Sequence, residues 1–289
     1  MKILDSHIHI FNSKIIENII SRTELVSRLS LQKEGIYNRL NTTALLNDMD
    51  SADVRAALML PTSDVGNLLK INRTCIKLAS EIPELFTAGT LHPDYNNINE
   101  ELTYLSRAGV RVIKLCSFSQ GFALDHFGTH KMFQLIQTFN KNSEKPFSVV
   151  LDTFTLADQY FGTDPEYTTT PRGLWDLVFC FPEINFIGAH MGGLGGTFEE
   201  LNRDLKPLPN LYLDTSNASH TLSTDQFIRL LHTHGPRHIL FGTDWPWFLH
   251  RSEVKRIEEL MEKADFSKQE KEAVFSSNLE NMLGIINED

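Results

Sequence analysis

Short apolar runs rich in Val, Ile, Leu, Phe and Thr recur along the chain, and a longer segment of mixed polar and apolar residues follows most of them. Continuous apolar runs of this length are typical of strands that are buried on both faces of a parallel sheet. The predicted strands span residues 3–11, 55–61, 86–92, 110–117, 147–153, 184–190, 211–216 and 238–243. Apolar residues at helical spacing predict helices over residues 43–52, 67–81, 99–107, 129–142 and 224–233.

Eight strand–helix units in one chain predict an α/β protein with a closed (β/α)8 TIM barrel rather than an open doubly wound sheet. The first strand lacks the Gly-x-Gly-x-x-Gly turn of dinucleotide-binding folds. No Ser-, Gly- or Pro-rich linker divides the chain, so we expect a single domain over residues 1–289. Residues 14–41 are expected to form an insertion over the barrel mouth, and residues 267–286 a terminal helix that packs outside the barrel.

The composition narrows the class of partner. The chain of 289 residues has 27 Lys plus Arg and 37 Asp plus Glu, which gives a formal net charge of −10. Binding to nucleic acid or to an anionic membrane needs a basic face, which this acidic balance argues against. Three dispersed cysteines, no signal-peptide pattern and no long apolar window predict a cytoplasmic protein without a membrane span. We expect a small-molecule substrate.

Ionisable side chains follow the predicted strands at their C-terminal ends, which is where barrel enzymes place their chemistry. His7 and His9 lie on one face of the first strand because side chains alternate, and two neutral imidazoles there can hold one divalent cation. The later strands end at Lys114, Asp152, His190, Asp214 and Asp244. Buried charges are costly unless they are paired or bind a metal, so the pattern predicts a coordinated ion surrounded by acid–base groups.

Five segments resemble the amidohydrolase-related group of the amidohydrolase superfamily: the His-x-His strand and residues 114–125, 189–193, 210–216 and 241–246. The resemblance implies a metal-dependent barrel that acts as a hydrolase or as a nonoxidative decarboxylase, and it implies a homodimer. His7 and His9 match the metal ligands of the first strand, and Asp244 matches the aspartate of the eighth. His190 matches the histidine that polarises substrate or moves protons.

The sequence departs from this family on strand five, where Asp152 stands in place of the usual histidine, and at Cys116, where many relatives have histidine. Asp152 is either a fourth metal ligand or an acceptor that pairs with Lys114. Two histidines and two aspartates would accept zinc but shift the preference toward Mn²⁺, Fe²⁺ or Mg²⁺. The alternative is a binuclear site in which Lys114 forms a carbamate that bridges two metal ions. Such a site needs histidines on both strands five and six, and the sequence has only His190, so one metal ion is favoured.

The leading interpretation is a metal-dependent hydrolase of a small amide, ester or lactone. In it, Asp244 takes a proton from the attacking water and His190 stabilises the oxyanion. The alternatives are a nonoxidative decarboxylase of an aromatic or unsaturated acid and a noncatalytic ligand-binding barrel. The candidate substrate contacts are Lys114, Trp245, Trp247 and Arg172. An arginine near the metal would favour decarboxylation, and Asp5 is expected to orient a ligand imidazole.

Overall fold

The computed structural model describes residues 1–285, and its strands form a parallel barrel. The strands are β1 (Ile3–Ile8), β2 (Val54–Met59), β3 (Leu85–Thr87), β4 (Gly89–Thr90), β5 (Val112–Leu115), β6 (Ser148–Leu151), β7 (Asn185–Gly188), β8 (Leu211–Asp214) and β9 (Ile239–Leu240). Strands β3 and β4 flank Ala88, whose N–H donates to the Met59 carbonyl at 2.9 Å, so they are two pieces of one strand. The eight predicted strands and the (β/α)8 fold are confirmed.

The barrel closes between its first and last strands. Ile8 pairs with Trp245 in parallel, and the Ser6 N–H donates to the Phe241 carbonyl at 2.8 Å. A side chain at Gly242 would put a carbon 2.9 Å from the His7 Cβ, so only glycine allows this close approach. The seam therefore places the end of β1 directly beside the segment that follows β9.

Helices alternate with the strands around the barrel. They are α1 (Ser13–Ile20), α2 (Thr23–Arg28), α3 (Thr42–Ser51), α4 (Leu68–Glu81), α5 (Ile98–Arg107), α6 (Ser117–Gln120), α7 (Phe127–Lys141), α8 (Ala157–Phe161), α9 (Pro171–Cys180), α10 (Phe198–Asp204), α11 (Ala218–Thr221), α12 (Thr224–His234), α13 (His250–Lys263), α14 (Lys268–Glu272) and α15 (Asn278–Leu283). The five predicted helices correspond to α3, α4, α5, α7 and α12, and their ends differ by at most two residues. No helix among residues 1–285 is long and apolar enough to cross a membrane.

Capping explains several of these helix starts. The Asn41 side chain accepts from the Ala44 N–H at the start of α3, which satisfies one of the free donors of the first turn. Ser223 and Thr197 form complete capping boxes at the starts of α12 and α10, with Gln226 and Glu200 as the reciprocal acceptors.

The core has two layers, as expected of a barrel. Side chains that point inward form one apolar cluster, which includes Leu4, Leu58, Val112, Val150 and Ile187. A larger cluster fills the space between the strands and the surrounding helices. Both layers are buried, which explains why the strands appear in the sequence as continuous apolar runs.

The sequence predicts that the terminal segment packs outside the barrel, but we propose that part of it covers one end of the barrel interior. Leu279 of α15 belongs to the inward-facing cluster, where its apolar side chain is removed from water. A π-helical turn at Ala273–Ser277 precedes it, and the Val274 carbonyl accepts from the Phe241 N–H at 2.9 Å. Residue 286 of the predicted 267–286 helix lies outside the described residues.

Residues 14–41 contain most of α1, all of α2 and a 3-10 helix at Ile36–Arg39. Their apolar side chains, including Ile16 and Leu25, share a buried cluster with Phe154 and Trp247, which follow barrel strands. The Arg39 guanidinium donates to the Pro246 carbonyl at 2.8 Å. We propose on these contacts that the insertion lies over part of the barrel mouth.

His234 yields a prediction for stability. It is buried at the end of α12, and neither ring nitrogen has a hydrogen-bond partner. Burial, helped by His238 and Lys206, lowers the pKa of His234 to about 4. In the unfolded chain this histidine binds a proton near pH 6.5, whereas in the folded chain it does so only near pH 4. The free energy of unfolding therefore falls as pH drops from about 6.5 to about 4.

We expect His234→Leu to flatten this pH dependence, which urea denaturation of both proteins at pH 7 and pH 4.5 would measure. Replacement of the exposed His232 by leucine is the matched control and should leave the slope unchanged. Equal slopes for the native protein and His234→Leu would contradict the prediction.

Candidate metal centre

Three side chains that the sequence predicts as ligands converge at the seam between the first and last strands. The Nε2 atoms of His7 and His9 lie 3.1 Å apart. Asp244 Oδ1 lies 3.9 Å from His7 Nε2 and 3.7 Å from His9 Nε2. Ligand atoms about 2.0–2.2 Å from one cation are separated by distances of this order. The donor set therefore fits a divalent metal ion, the expected kind of cofactor.

The partners of the other ring nitrogens fix the tautomers of both histidines. His9 Nδ1 lies 3.2 Å from the Leu60 carbonyl oxygen, and His7 Nδ1 lies 2.9 Å from Asp214 Oδ2. Both partners only accept hydrogen bonds, so both Nδ1 atoms carry the proton. Burial lowers the pKa of His7 and lowers that of His9 further, which keeps both rings neutral. The two Nε2 lone pairs then face each other, and a cation between them removes the repulsion.

Asp214 lies with His7 and His190 in a second group of possible ligand atoms, but hydrogen bonds involve both of its oxygens. One oxygen accepts from the His190 N–H at 2.9 Å and the Ser216 N–H at 3.1 Å, while the other faces His7 Nδ1. The Ser216 hydroxyl adds a further bond to this carboxylate. Despite complete burial, His7 helps to lower the pKa of Asp214 to about 2. Its geometry is that of a carboxylate that orients a metal-binding imidazole.

Asp5 orients the backbone of a ligand residue, which differs from the expectation that it would orient an imidazole. Asp5 Oδ1 accepts from the His7 N–H at 2.8 Å and from the Thr243 N–H at 3.1 Å. The ring is held instead by Asp214, which approaches His7 Nδ1 from another strand.

Asp152 lies beside Lys114 and His190 rather than within the cluster of His7, His9 and Asp244. Asp152 Oδ2 is 3.5 Å from Lys114 Nζ and 3.8 Å from His190 Nε2. Burial opposes the charged form, but the Lys114 ammonium and His190 hold the pKa of Asp152 far below its usual range. We propose on this geometry the second of the two alternatives for Asp152, the acceptor that pairs with Lys114.

His190 faces the same space. Its Nδ1 donates to the Ser216 carbonyl at 3.0 Å, which directs Nε2 toward Asp152. Burial alone would lower its pKa, but Asp152 and Asp244 outweigh that effect and raise the pKa of His190 to about 9. The imidazolium therefore carries a proton on Nε2. This nitrogen lies 3.8 Å from Asp152 Oδ2, which is too far for a hydrogen bond.

Backbone strain accompanies these functional groups. His190 and Asp244 have φ values of +56° and +64°, in the left-handed region that non-glycine residues rarely adopt. The Asp244 N–H donates to the His7 carbonyl at 2.9 Å, so the closing seam fixes this conformation. Burial raises the pKa of Asp244 to about 7.

The aromatic candidates have different surroundings. Trp245 has no exposed surface and packs in the large core cluster, so it does not border an open space. Trp247 lies 6.4 Å from the ring of Phe11, which stacks on His9 at 4.7 Å. Phe11 is partly exposed. It was missed in the sequence because a single phenylalanine at a strand end carries no distinctive signal.

Arg172 lies at the start of α9, away from the three ligand candidates. Its side chain is 62% exposed and pairs with Asp176 at 2.9 Å. It borders an open cavity of about 490 Å³ whose lining residues, which also include Arg28 and Arg203, contain none of the strand-end histidines. The structure thus gives Arg172 no contact with the candidate metal centre.

Comparisons with known proteins bear on the family and on the fold of the chain. The amidohydrolase family model matches residues 168–285, which include His190 and Asp244. This match confirms the resemblance predicted from the sequence and the expected class of metal-dependent enzyme. No curated protein matches the chain.

Solved structures share the fold at low sequence identity. An uncharacterized TIM-barrel protein from Bordetella bronchiseptica has a TM-score of 0.73 at 15% identity, covering 98% of this chain and 99% of the other. The 5-carboxyvanillate decarboxylase of Novosphingobium aromaticivorans, complexed with manganese and a nitrobenzoic acid, has a TM-score of 0.70 at 17% identity, covering 98% of this chain and 96% of the other. A probable 2-pyrone-4,6-dicarboxylic acid hydrolase of Acinetobacter baumannii has a TM-score of 0.62 at 14% identity, covering 99% of this chain and 100% of the other.

The geometry of the centre predicts how variants change metal content. His7→Ala removes one of the facing nitrogens and should reduce Mn²⁺ affinity by more than about 100-fold, since outer-shell changes alone cost about 10–100-fold. Asp152→Asn keeps all three proposed ligands and should retain close to one ion per chain. Elemental analysis after dialysis against Mn²⁺ measures both. Loss of the ion from Asp152→Asn to the same extent as from His7→Ala would show that Asp152 is a ligand.

Proposed function

We propose that the protein is a metal-dependent hydrolase of a small amide, ester or lactone. The observation that carries the proposal is the convergence of two neutral imidazole nitrogens and one carboxylate oxygen on a single position at the barrel mouth. When bound there, a divalent cation supplies Lewis acidity and makes water a nucleophile near neutral pH. The match to the amidohydrolase family supports this class of reaction.

Asp244 is the proposed general base. Its carboxylate is close to both histidine nitrogens, and the seam fixes its backbone. A carboxylate in this position accepts a proton from the attacking water and returns it to the leaving group. The buried surroundings favour this role, because burial raises the pKa of Asp244 and so makes its carboxylate a better proton acceptor.

His190 and Lys114 are the proposed electrostatic groups. The His190 imidazolium can donate from Nε2 to the oxygen that becomes negative as the water adds to the carbonyl. Its Nδ1–H bond to the Ser216 carbonyl holds the ring for this task. The side chain of Lys114 is 1% exposed and lies 3.5 Å from Asp152, and its amino group would favour an anionic substrate.

Asp244→Asn tests the proposed base. The amide cannot accept a proton, so hydrolysis should fall by at least about 100-fold, while the far-ultraviolet circular dichroism stays unchanged. The assay is turnover of a lactone and an ester panel by Mn²⁺-loaded protein. Asp176→Asn, which changes an exposed aspartate on α9, is the control and should keep full activity. Full turnover by Asp244→Asn would refute the role.

Nonoxidative decarboxylation is the second candidate. Phe11 stacks on His9, and an aromatic side chain in this position would suit a substrate with a planar ring beside the metal. Two of the structures that share the fold are decarboxylases of 2,6-dihydroxybenzoate and of 5-carboxyvanillate. Metal and Lys114 would hold the carboxylate, while Asp244 or His190 protonates the ring carbon. Arg172 is exposed and pairs with Asp176, so it does not hold a substrate carboxylate beside the metal. For this reason we propose hydrolysis before decarboxylation.

One experiment separates the two reactions. Mn²⁺-loaded protein is incubated with lactones, esters and hydroxylated aromatic acids, and released CO₂ and released acid are measured in the same samples. Hydrolysis gives acid without CO₂, and we expect this result. Release of CO₂ from an aromatic acid, lost in Asp244→Asn, would establish the second candidate instead. A metal-loaded protein that binds these compounds and converts none would support the noncatalytic alternative.

A further inference from the structure

A buried histidine lies behind the candidate metal centre, between two carboxylates from different elements. His250 begins α13 and has no exposed side-chain surface. Its Nδ1 lies 2.7 Å from Asp48 Oδ2 of α3, and its Nε2 lies 3.1 Å from Asp5 Oδ2 of β1. The Asp48 carboxylate also accepts from the backbone N–H of His250 at 3.0 Å.

The two contacts determine the charge of the ring. An ionised carboxylate only accepts hydrogen bonds, and both ring nitrogens face one, so both carry a proton. The contact to Asp5 is an ion pair without the alignment of a hydrogen bond. Although burial lowers the pKa of His250, the carboxylates of Asp48 and Asp5 outweigh it and raise that pKa to about 9. The group is a buried imidazolium between two negative charges.

Asp5 connects this imidazolium to both sides of the barrel seam. Its oxygens accept from the His7 N–H at 2.8 Å, the Thr243 N–H at 3.1 Å and the Thr243 hydroxyl at 2.5 Å. His7 and Asp244, which adjoins Thr243, are two of the three proposed ligands. A shift of the Asp5 carboxylate would therefore move two ligands that belong to different strands.

We propose that His250 is a positioning residue of the metal centre, which acts through Asp5 to hold the two backbone segments that carry His7 and Asp244. A buried carboxylate that loses its partner cation would move toward solvent, and this shift would weaken its hydrogen bonds to the two backbone segments of the seam. This inference rests on the proposed metal site, and it adds a residue outside the strand-end segments of the sequence.

The chain offers a matched control for this proposal. His220 Nε2 lies 2.9 Å from Glu253 Oε1, and Glu253 is on α13, the helix that His250 begins. His220→Gln disturbs a histidine–carboxylate contact to the same helix without touching Asp5. Loss of general stability should therefore be similar in His220→Gln and His250→Gln, whereas an effect on the metal should be confined to His250→Gln.

The experiment measures Co²⁺ binding by competition with a chromophoric chelator and records the visible spectrum of the Co²⁺ protein, so no substrate is needed. We expect His250→Gln to weaken Co²⁺ affinity by about 10–100-fold and to change the visible band, because the positions of His7 and Asp244 set the ligand field. Asp48→Asn, which keeps the side-chain shape, should give a smaller loss in the same direction and serves if His250→Gln does not fold. His220→Gln should bind Co²⁺ within about threefold of the native protein.

A double-mutant cycle tests whether the effect passes through Asp5. If it does, Asp5→Asn combined with His250→Gln weakens Co²⁺ binding no more than the worse single variant. Additive losses, or native affinity and spectrum in His250→Gln, would overturn the proposal. A native protein that binds Co²⁺ but hydrolyses nothing would reject the proposed function alone, and one that binds no Co²⁺ would reject both.

Discussion

The repulsion between two lone pairs is the constraint on which the candidate site depends. His7 and His9 present their Nε2 atoms to each other at 3.1 Å, and neither nitrogen can donate to the other because both protons are held on Nδ1. Folding tolerates such an arrangement only when the surrounding contacts impose it. Here the imposing groups are a carboxylate from β8 and a carbonyl that follows β2, so separate strands of the barrel cooperate to create a position suited to a cation.

The closure of the barrel supplies the third donor. Asp244 comes 237 residues after His7, and the two meet because the first and last strands pair at the seam. The strained backbone at Asp244 is held by hydrogen bonds across that seam. The Asp5 carboxylate accepts hydrogen bonds from both of these segments, and His250 forms an ion pair with it. Metal binding and barrel closure thus depend on the same few contacts.

Much of the fold and part of the site could be predicted from the sequence. Continuous apolar runs predict the eight strands because a barrel strand is buried on both faces. His7, His9 and Asp244 stand out because ionisable residues directly after such apolar runs are seldom buried unless they are paired or bind a metal. The environment of Asp152 could not be predicted, since it depends on which neighbour, Lys114 or the metal, is nearer across the sheet. Trp245 packs in the core, whereas the sequence makes it a candidate substrate contact. An aromatic residue after a strand gives the same sequence pattern in both cases. His250 and Asp48 lie on helices that have no strand-end signature, so only the packed structure brings them to Asp5.

Anomalous X-ray diffraction from crystals of the protein loaded with Mn²⁺ tests the central claim most directly. The account predicts one strong peak within about 2.0–2.3 Å of the Nε2 atoms of His7 and His9 and of an Asp244 oxygen. A peak at another place, or a fully loaded solution whose crystals show no peak between the two imidazoles, would contradict it.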